Sequence, residues 1–376
     1  MPHPFDSSRE LFPILKTKVQ LSSCSQSAMA LPVRQAIENY LDVWQQKGMD
    51  WQGWMTHVES ARAQFARLIN ARPDDVAIAM SVSDAASTIG SALNLGPDKF
   101  QILVGETDFP SLGHVWLAHE RKGAKVQYVQ ADTNFCIPTS NYVNQIQDDT
   151  LLVNVSHVSY YNGYVQDIAE ITRAARKHDA IVFVDAYQSA GAVQIDVTRD
   201  DIDVLVTGAQ KFLLGCPGIA FMYVRPELAR RLTPSTTGWF GRTNPFEFNI
   251  RHLDFPESGR KFDTGTPPMV NAAAADAALT LLNSWDSGQI EHYLKYLSQL
   301  VKTECNRWNL KVVASSDSSR QSATTAVRMA NAADAEKRLA QMGYIVSARN
   351  DVIRIAPHIY NTEDEVIAAV RALAAL

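Results

Sequence analysis

The sequence has no stretch approaching the roughly 20 uncharged apolar residues that a membrane-spanning helix needs, so no segment reads as a transmembrane span. It also has no lysine- or arginine-rich run, and its formal net charge is −5. The electrostatic footprint of a nucleic-acid-binding protein is therefore missing. Cysteine is scarce and scattered, at Cys24, Cys136, Cys216 and Cys305, with no CxxC pair. Neither a disulfide framework nor a zinc site is suggested. His114 and Glu120 lack the i, i+4 spacing of a metal-binding helix, and no metal is expected. The opening residues, "MPHPFDSSRELFPILKTKV", carry charges and no long apolar core, so they do not read as a signal peptide. The expectation is a cytoplasmic protein of a reducing compartment, with no nucleic-acid or membrane partner.

What is present is ordinary globular usage, 46% hydrophobic and 20% charged over 376 residues, enough for a large domain and a smaller companion. "VAIAM", "FQILVGE" (100–106), "KVQYVQ" (125–130), "LLVNVSHVS" (151–159), "AIVFVDA" (180–186), "DVLVTGA" (203–209) and "GIAFMYV" (218–224) read as strands. Helical stretches such as "LGHVWLAHERKG" and "DIAEITRAARKHD" lie between them. Near-continuous apolar strands alternating with helices predict an α/β fold with a mainly parallel sheet covered on both faces. After about residue 265 the pattern changes to two long helices, then short strands (324–330 and 352–357) around a helix. The tail reads as an amphipathic helix with a capping box, Thr362 at the N-cap and Glu365 three residues on. We expect a large domain over 15–265 and a small α+β domain over 266–376 joined by the segment 1–14.

Two polar residues stand at the ends of buried-looking runs, Asp185 after "IVFVD" and Lys211 after "DVLVTGAQ". A lysine at a strand end is usually a surface residue. Here "TGAQKFLLGCPG" surrounds it with apolar and small residues, which would desolvate the amine, lower its pKa and make it nucleophilic. Such an amine forms imines with aldehydes, and pyridoxal phosphate is the common aldehyde cofactor. Its sites pair a Schiff-base lysine with an acid at the pyridine nitrogen, which Asp185 offers. A phosphate wants backbone amides at a helix N-terminus, and "VAIAM" running through Ser81, Val82 and Ser83 into a helical stretch supplies them. Those serines also serve as N-caps, and the two roles are compatible. Asn154 is a candidate partner for a cofactor oxygen, and His157 faces the same strand ends. Trp44, Trp51 and Trp54 are read as packing at an edge, and Cys216 as a small core residue.

These motifs resemble those of the fold-type I pyridoxal-phosphate enzymes of the class V aminotransferase group, which includes kynureninases, cysteine desulfurases and isopenicillin-epimerase-like proteins. The resemblance spans roughly residues 20 to 370. It implies that Asp185 in "DAYQSAG" pairs with the pyridine nitrogen and that Gln188 lies near the cofactor O3′. Lys211 in "TGAQKFLLGCPG" becomes the Schiff-base lysine, with Gln210 at a position reaching the phosphate, Val82 and Ser83 in the phosphate cup, and Thr207 at a cofactor-binding hydroxyl position before the lysine. "TDFPS", "TTGWFGR" and "FDTGTPP" resemble kynureninase segments. They imply Phe109 stacked on the cofactor, Trp239 near the phosphate, and Thr266 reaching the phosphate of a neighbouring subunit, hence a homodimer with composite sites. "VIRIAPHIYNTEDEV" implies Arg354 as the clamp for the α-carboxylate of an amino-acid substrate, a task suited to a guanidinium fork. The chain departs from kynureninases at Gln210, Arg242 and Leu112. It departs from desulfurases in having no cysteine in "YIVSARNDVIRI". Transamination, kynureninase-like cleavage, and epimerase or lyase chemistry all fit the shared residues. A non-catalytic cofactor binder is the remaining alternative.

Overall fold

A computed structural model describes residues 3–376. A short strand β1 (Val19–Gln20) is followed by helices α1 (Leu31–Lys47) and α2 (Trp51–Leu68). Next comes the α/β body: β2 (Val76–Ala79), α3 (Val82–Ala92), β3 (Gln101–Gly105), α4 (Pro110–Ala118), β4 (Lys125–Val129), α5 (Thr139–Gln145) and β5 (Thr150–Ser156). It continues through α6 (Ile168–Arg176), β6 (Ile181–Asp185), β7 (Val204–Gly208), β8 (Ala220–Val224) and α7 (Pro226–Arg231). The seven strands form one mixed sheet in the order β2-β8-β7-β6-β5-β3-β4. Only β8 is antiparallel to its neighbours, so the remaining strands all point the same way.

The strands read as unbroken apolar runs because both faces are covered. Along β6, Val182 and Val184 join one core while Ile181 and Phe183 join the other, on the opposite face. The chain leaves β3 outward to β4, then returns to the other side of β3 with β5, β6 and β7. Such a reversal opens a crevice beyond the carboxyl ends of the strands, where ligands of open α/β sheets bind.

Helices α8 (Met269–Leu282) and α9 (Ser287–Arg307) follow, and α8 packs on α1 and α2. A second, antiparallel sheet has the order β12-β13-β10-β9. It contains β9 (Val312–Val313), β10 (Thr325–Arg328), β12 (Ser347–Arg349) and β13 (Val352–Ile355). Helix α10 (Ala332–Gln341), the two-residue strand β11 (Tyr344–Ile345) and α11 (Glu363–Ala374) complete the chain. The capping box at Thr362 and Glu365 is present. The N-terminal segment is tied to this C-terminal part by β1 pairing with β11, a Ser22–Ala356 bridge and the Arg9–Glu365 ion pair at 2.7 Å. Among the described residues no helix is long and apolar enough to cross a membrane.

Helices α1 and α2 were not anticipated from the sequence. Apolar residues do recur at helical spacing in both, Val33, Ile37, Tyr40, Leu41 and Trp44 in α1 and Trp51, Trp54, Met55, Val58 and Phe65 in α2, although α1 buries only Val33.

Candidate active site

The strand ends converge on a cavity of about 350 Å³, within the usual range of small-molecule sites of about 300–1,000 Å³. Asp185 closes β6 and Lys211 follows β7, the adjacent strand, so pairing of β6 with β7 brings the two together. Both line the cavity, with Val82, Ser83, Phe109, Gln188, Gln210 and Arg354.

The loop carrying Lys211 is pinned from two distant parts of the chain. The Ser27 hydroxyl donates to the Lys211 carbonyl at 2.6 Å, and a His358 ring nitrogen lies 3.1 Å from the Phe212 carbonyl oxygen. The amine lies 4.1 Å from the Tyr187 ring centroid, a cation–π contact. Tyr187 in turn donates its hydroxyl proton to Gln210 Oε1 at 2.5 Å. Gly208 makes this possible, since a Cβ there would collide with the Tyr187 ring. Burial pushes the Lys211 amine down to about 8, against the pull of Asp185, and the Arg354 and Arg349 charges add to the lowering. A neutral, nucleophilic fraction therefore exists near neutral pH.

Asp185 is buried, and Oδ1 accepts from the Tyr187 amide at 2.8 Å. Burial raises its pKa, while that amide and Lys211 oppose the rise. A cation or N–H donor brought into the cavity would hold it ionised. Val82 and Ser83 begin α3, directly after the N-cap Ser81, whose hydroxyl accepts from the Asp84 amide. The first-turn amides there suit an anion.

Arg354 is buried at 1% exposure, yet among the described residues it has no carboxylate partner. Its Nη1 donates to the Tyr160 carbonyl at 2.8 Å, and Nη2 donates to the Ser25 and Ser347 hydroxyls at 2.9 and 2.7 Å. Its Nε has no partner, and neither has Gln188 Oε1. A buried guanidinium held only by neutral oxygens is costly unless an anion completes it. The cavity wall carries three cationic side chains, Lys211, Arg349 and Arg354, against one acid, Asp185.

Four expected residues lie elsewhere. Asn154 is fully buried on β5 with both amide atoms used, accepting from Trp116 Nε1 at 2.9 Å and donating to Asp108 at 2.7 Å. It does not line the cavity. Thr207 is buried within β7, its hydroxyl directed to the Gly208 carbonyl. Trp239 belongs to an aromatic cluster with Trp51, Phe240, Phe246 and Phe248, and Thr266 is exposed. Neither borders the cavity within this chain. His157 donates its amide to the Asp185 carbonyl, and burial lowers its ring to about 4. Arg242 is held by Glu247 and Asp254 of its own loop.

The structure adds residues that the motifs did not mark. Cys24, Ser25, Ser111, Ser156, Tyr187 and Arg349 all line the cavity. Asp108 lies just behind it. Its carboxylate accepts from the Gly105 and Ser156 amides and from Asn154, joining the end of β3 to the end of β5, and burial lifts it to about 6. Its place directly before Phe109 was the available signal.

A doubly covered α/β sheet with a desolvated strand-end lysine beside a buried acid fits one class of proteins, enzymes that hold an aldehyde cofactor on a lysine. Comparison with known proteins specifies the class. The chain belongs to the aminotransferase class-V family, whose profile matches residues 24–372. It is 39% identical to the uncharacterized aminotransferase YcbU of Bacillus subtilis, over 100% of this chain and 99% of that protein. It is 26% identical to a kynureninase of Deinococcus radiodurans, over 89% of this chain and 81% of the other. A cysteine desulfurase structure from Thermococcus onnurineus covers 100% of this chain and 98% of its own at a TM-score of 0.89 and 20% identity, a likeness of fold.

The protein is a pyridoxal-phosphate-dependent enzyme of this family. The site fits that cofactor on its own chemistry: a desolvated amine for the aldehyde, a buried acid for a ring nitrogen, a helix N-terminus for the phosphate, and the unpartnered Gln188 Oε1.

Proposed function

We propose that this enzyme transaminates an α-amino acid. The observation that carries the reading is Arg354, a buried guanidinium without an acidic partner in the same cavity as Lys211. Its fork suits an α-carboxylate, held bidentately. When bound, the cofactor supplies an electron sink for the substrate Cα. Asp185 would hold a positive charge on the cofactor's ring nitrogen. Lys211 Nζ, with its pKa lowered to about 8, takes the proton from the substrate Cα as general base. Phe109 and Tyr187 set aromatic rings 5.7 and 4.1 Å from the amine.

Three features favour transamination within the family. Gln210 and Arg242 stand where kynureninases carry other residues, and Arg242 is engaged by its own loop. The strand before Arg354 carries no cysteine for a desulfurase nucleophile. A full-length relative is described as an aminotransferase. The test is an amino-acid panel followed by absorbance, with product analysis. Keto acid formed in proportion to the cofactor converted is the expected result. Alanine released without keto acid would overturn it in favour of kynureninase-like cleavage.

We also infer a homodimer with composite sites. Trp239 and Thr266 lie off this chain's own cavity, and Trp239 borders a surface groove with exposed Phe248, Ile250 and Leu253, next to exposed Phe246. Leu41, Trp44 and Met49 are exposed as well, and Trp51 lies 5.8 Å from Trp239. Apolar exposure of this extent marks an interaction surface, and a two-fold contact would bury it on both copies. Sedimentation at micromolar concentration should give twice the 41.6 kDa chain mass. A monomer with full activity would refute the shared site.

A further inference from the structure

Arg349 ends β12, and the pairing of β12 with β13 sets Ser347 opposite Arg354 and Arg349 opposite Val352. Side chains alternate along a strand, and directly paired residues share a face. Arg349 and Arg354 therefore project from the same face of the small sheet, and both line the cavity that holds Lys211. The two guanidinium groups differ in their surroundings. Arg354 is buried and held by Tyr160, Ser25 and Ser347. Arg349 is exposed at the cavity wall, and among the described residues it makes no hydrogen bond or ion pair. The one acid of the wall, Asp185, stands with Lys211.

The other anions of a loaded site already have places. On the functional reading above, which this inference deepens, Arg354 takes the α-carboxylate and the start of α3 takes the phosphate. A second unpaired guanidinium facing the same space is then left for the far end of the substrate. We propose that the substrate is an α-amino acid whose side chain ends in a carboxylate, and that Arg349 binds that carboxylate. A planar fork recognises a carboxylate with two parallel hydrogen bonds. A neutral amide in its place would leave the charge unmatched, so Arg349 determines specificity.

The test uses inert substrate mimics on the yellow, cofactor-loaded protein and needs no turnover. Titration calorimetry compares succinate and glutarate with butyrate. The wild type should bind the better dicarboxylate at least tenfold tighter, about 1.4 kcal/mol. Arg349→Gln should bring the two classes within about twofold while butyrate binding stays unchanged, and Arg349→Lys should restore part of the preference. Equal binding of both classes by the wild type would overturn the proposal. So would an Arg349→Gln variant that keeps the preference, or one that weakens butyrate as much as the dicarboxylate. Borohydride fixation of the cofactor on the Lys211 peptide is checked in the same sample. Its absence would count against the functional reading, whereas a loaded protein without dicarboxylate preference counts against this inference alone.

Discussion

Replacing Lys211 with alanine should leave a protein that no longer fixes pyridoxal phosphate on borohydride reduction and that turns over at least about a thousandfold more slowly, roughly 4 kcal/mol of barrier. The wild-type protein, treated in the same way and digested, should carry the pyridoxyl group on the peptide containing Lys211. The reason is local. This amine is desolvated beside Tyr187 and Phe109 in a cavity where it is the one lysine, facing Asp185, hydroxyls, amides, arginines and apolar side chains, and its loop is held by Ser27 and His358. The substitution should not unfold the chain, because it removes a cation that burial disfavours. A companion measurement follows from the lowered pKa of about 8. Only the neutral amine attacks an aldehyde, so the loading rate of cofactor-free protein should rise with pH through about 8 and level off above it. A label on any other lysine, or a loading rate that falls with pH over that range, would remove Lys211 from this role.

Asp185→Asn should keep the cofactor bound and lower turnover by roughly two or more orders of magnitude, about 3 kcal/mol or more. Asparagine keeps the shape and can still accept from the Tyr187 amide. What it loses is the negative charge that would keep a ring nitrogen protonated, and with it the electron-withdrawing strength of the cofactor. Burial makes that charge expensive in the free protein, as the raised pKa of Asp185 indicates. The gain comes only when a cation arrives to neutralise it. Lys211 is unchanged, so borohydride fixation should persist, which separates an electronic role from simple loss of cofactor. An asparagine variant with wild-type turnover and bound cofactor would show that this acid is structural.

Much of the architecture was legible along the chain. Strands covered on both faces must be apolar throughout, so β3, β5, β6, β7 and β8 appear as continuous runs within a residue or two of their bounds, except that the β5 run was read three residues too far. A polar residue closing such a run stands out, which is why Asp185 and Lys211 could be picked from the sequence. The Thr362–Glu365 box was equally readable, because a capping box is a purely local arrangement.

Side-chain direction was not legible. Asn154 lies in the same kind of strand as Asp185, yet Trp116 and Asp108 occupy both its amide atoms behind the cavity. Tyr187 carries no signal of its own in "DAYQSAG", and only the fold lays its ring beside the Lys211 amine, over Gly208. Cys24, Ser25 and Arg349 come from opposite ends of the chain and meet at the cavity because β1 pairs with β11 and Ser22 bridges to Ala356.

The sequence by itself determined the layered α/β class, the strand-end acid and lysine, and the chemistry that a desolvated amine implies. These follow from the pattern of apolar runs and from the residues that interrupt them. The tertiary structure alone decided which polar groups share one cavity and which are already satisfied, and that among the described residues Arg354 lacks an acid and Arg349 a hydrogen-bond or ion-pair partner. Burial and hydrogen bonding between segments some 330 residues apart, as between Ser25 and Arg354, depend on how the sheets pair and stack. No local pattern records that pairing.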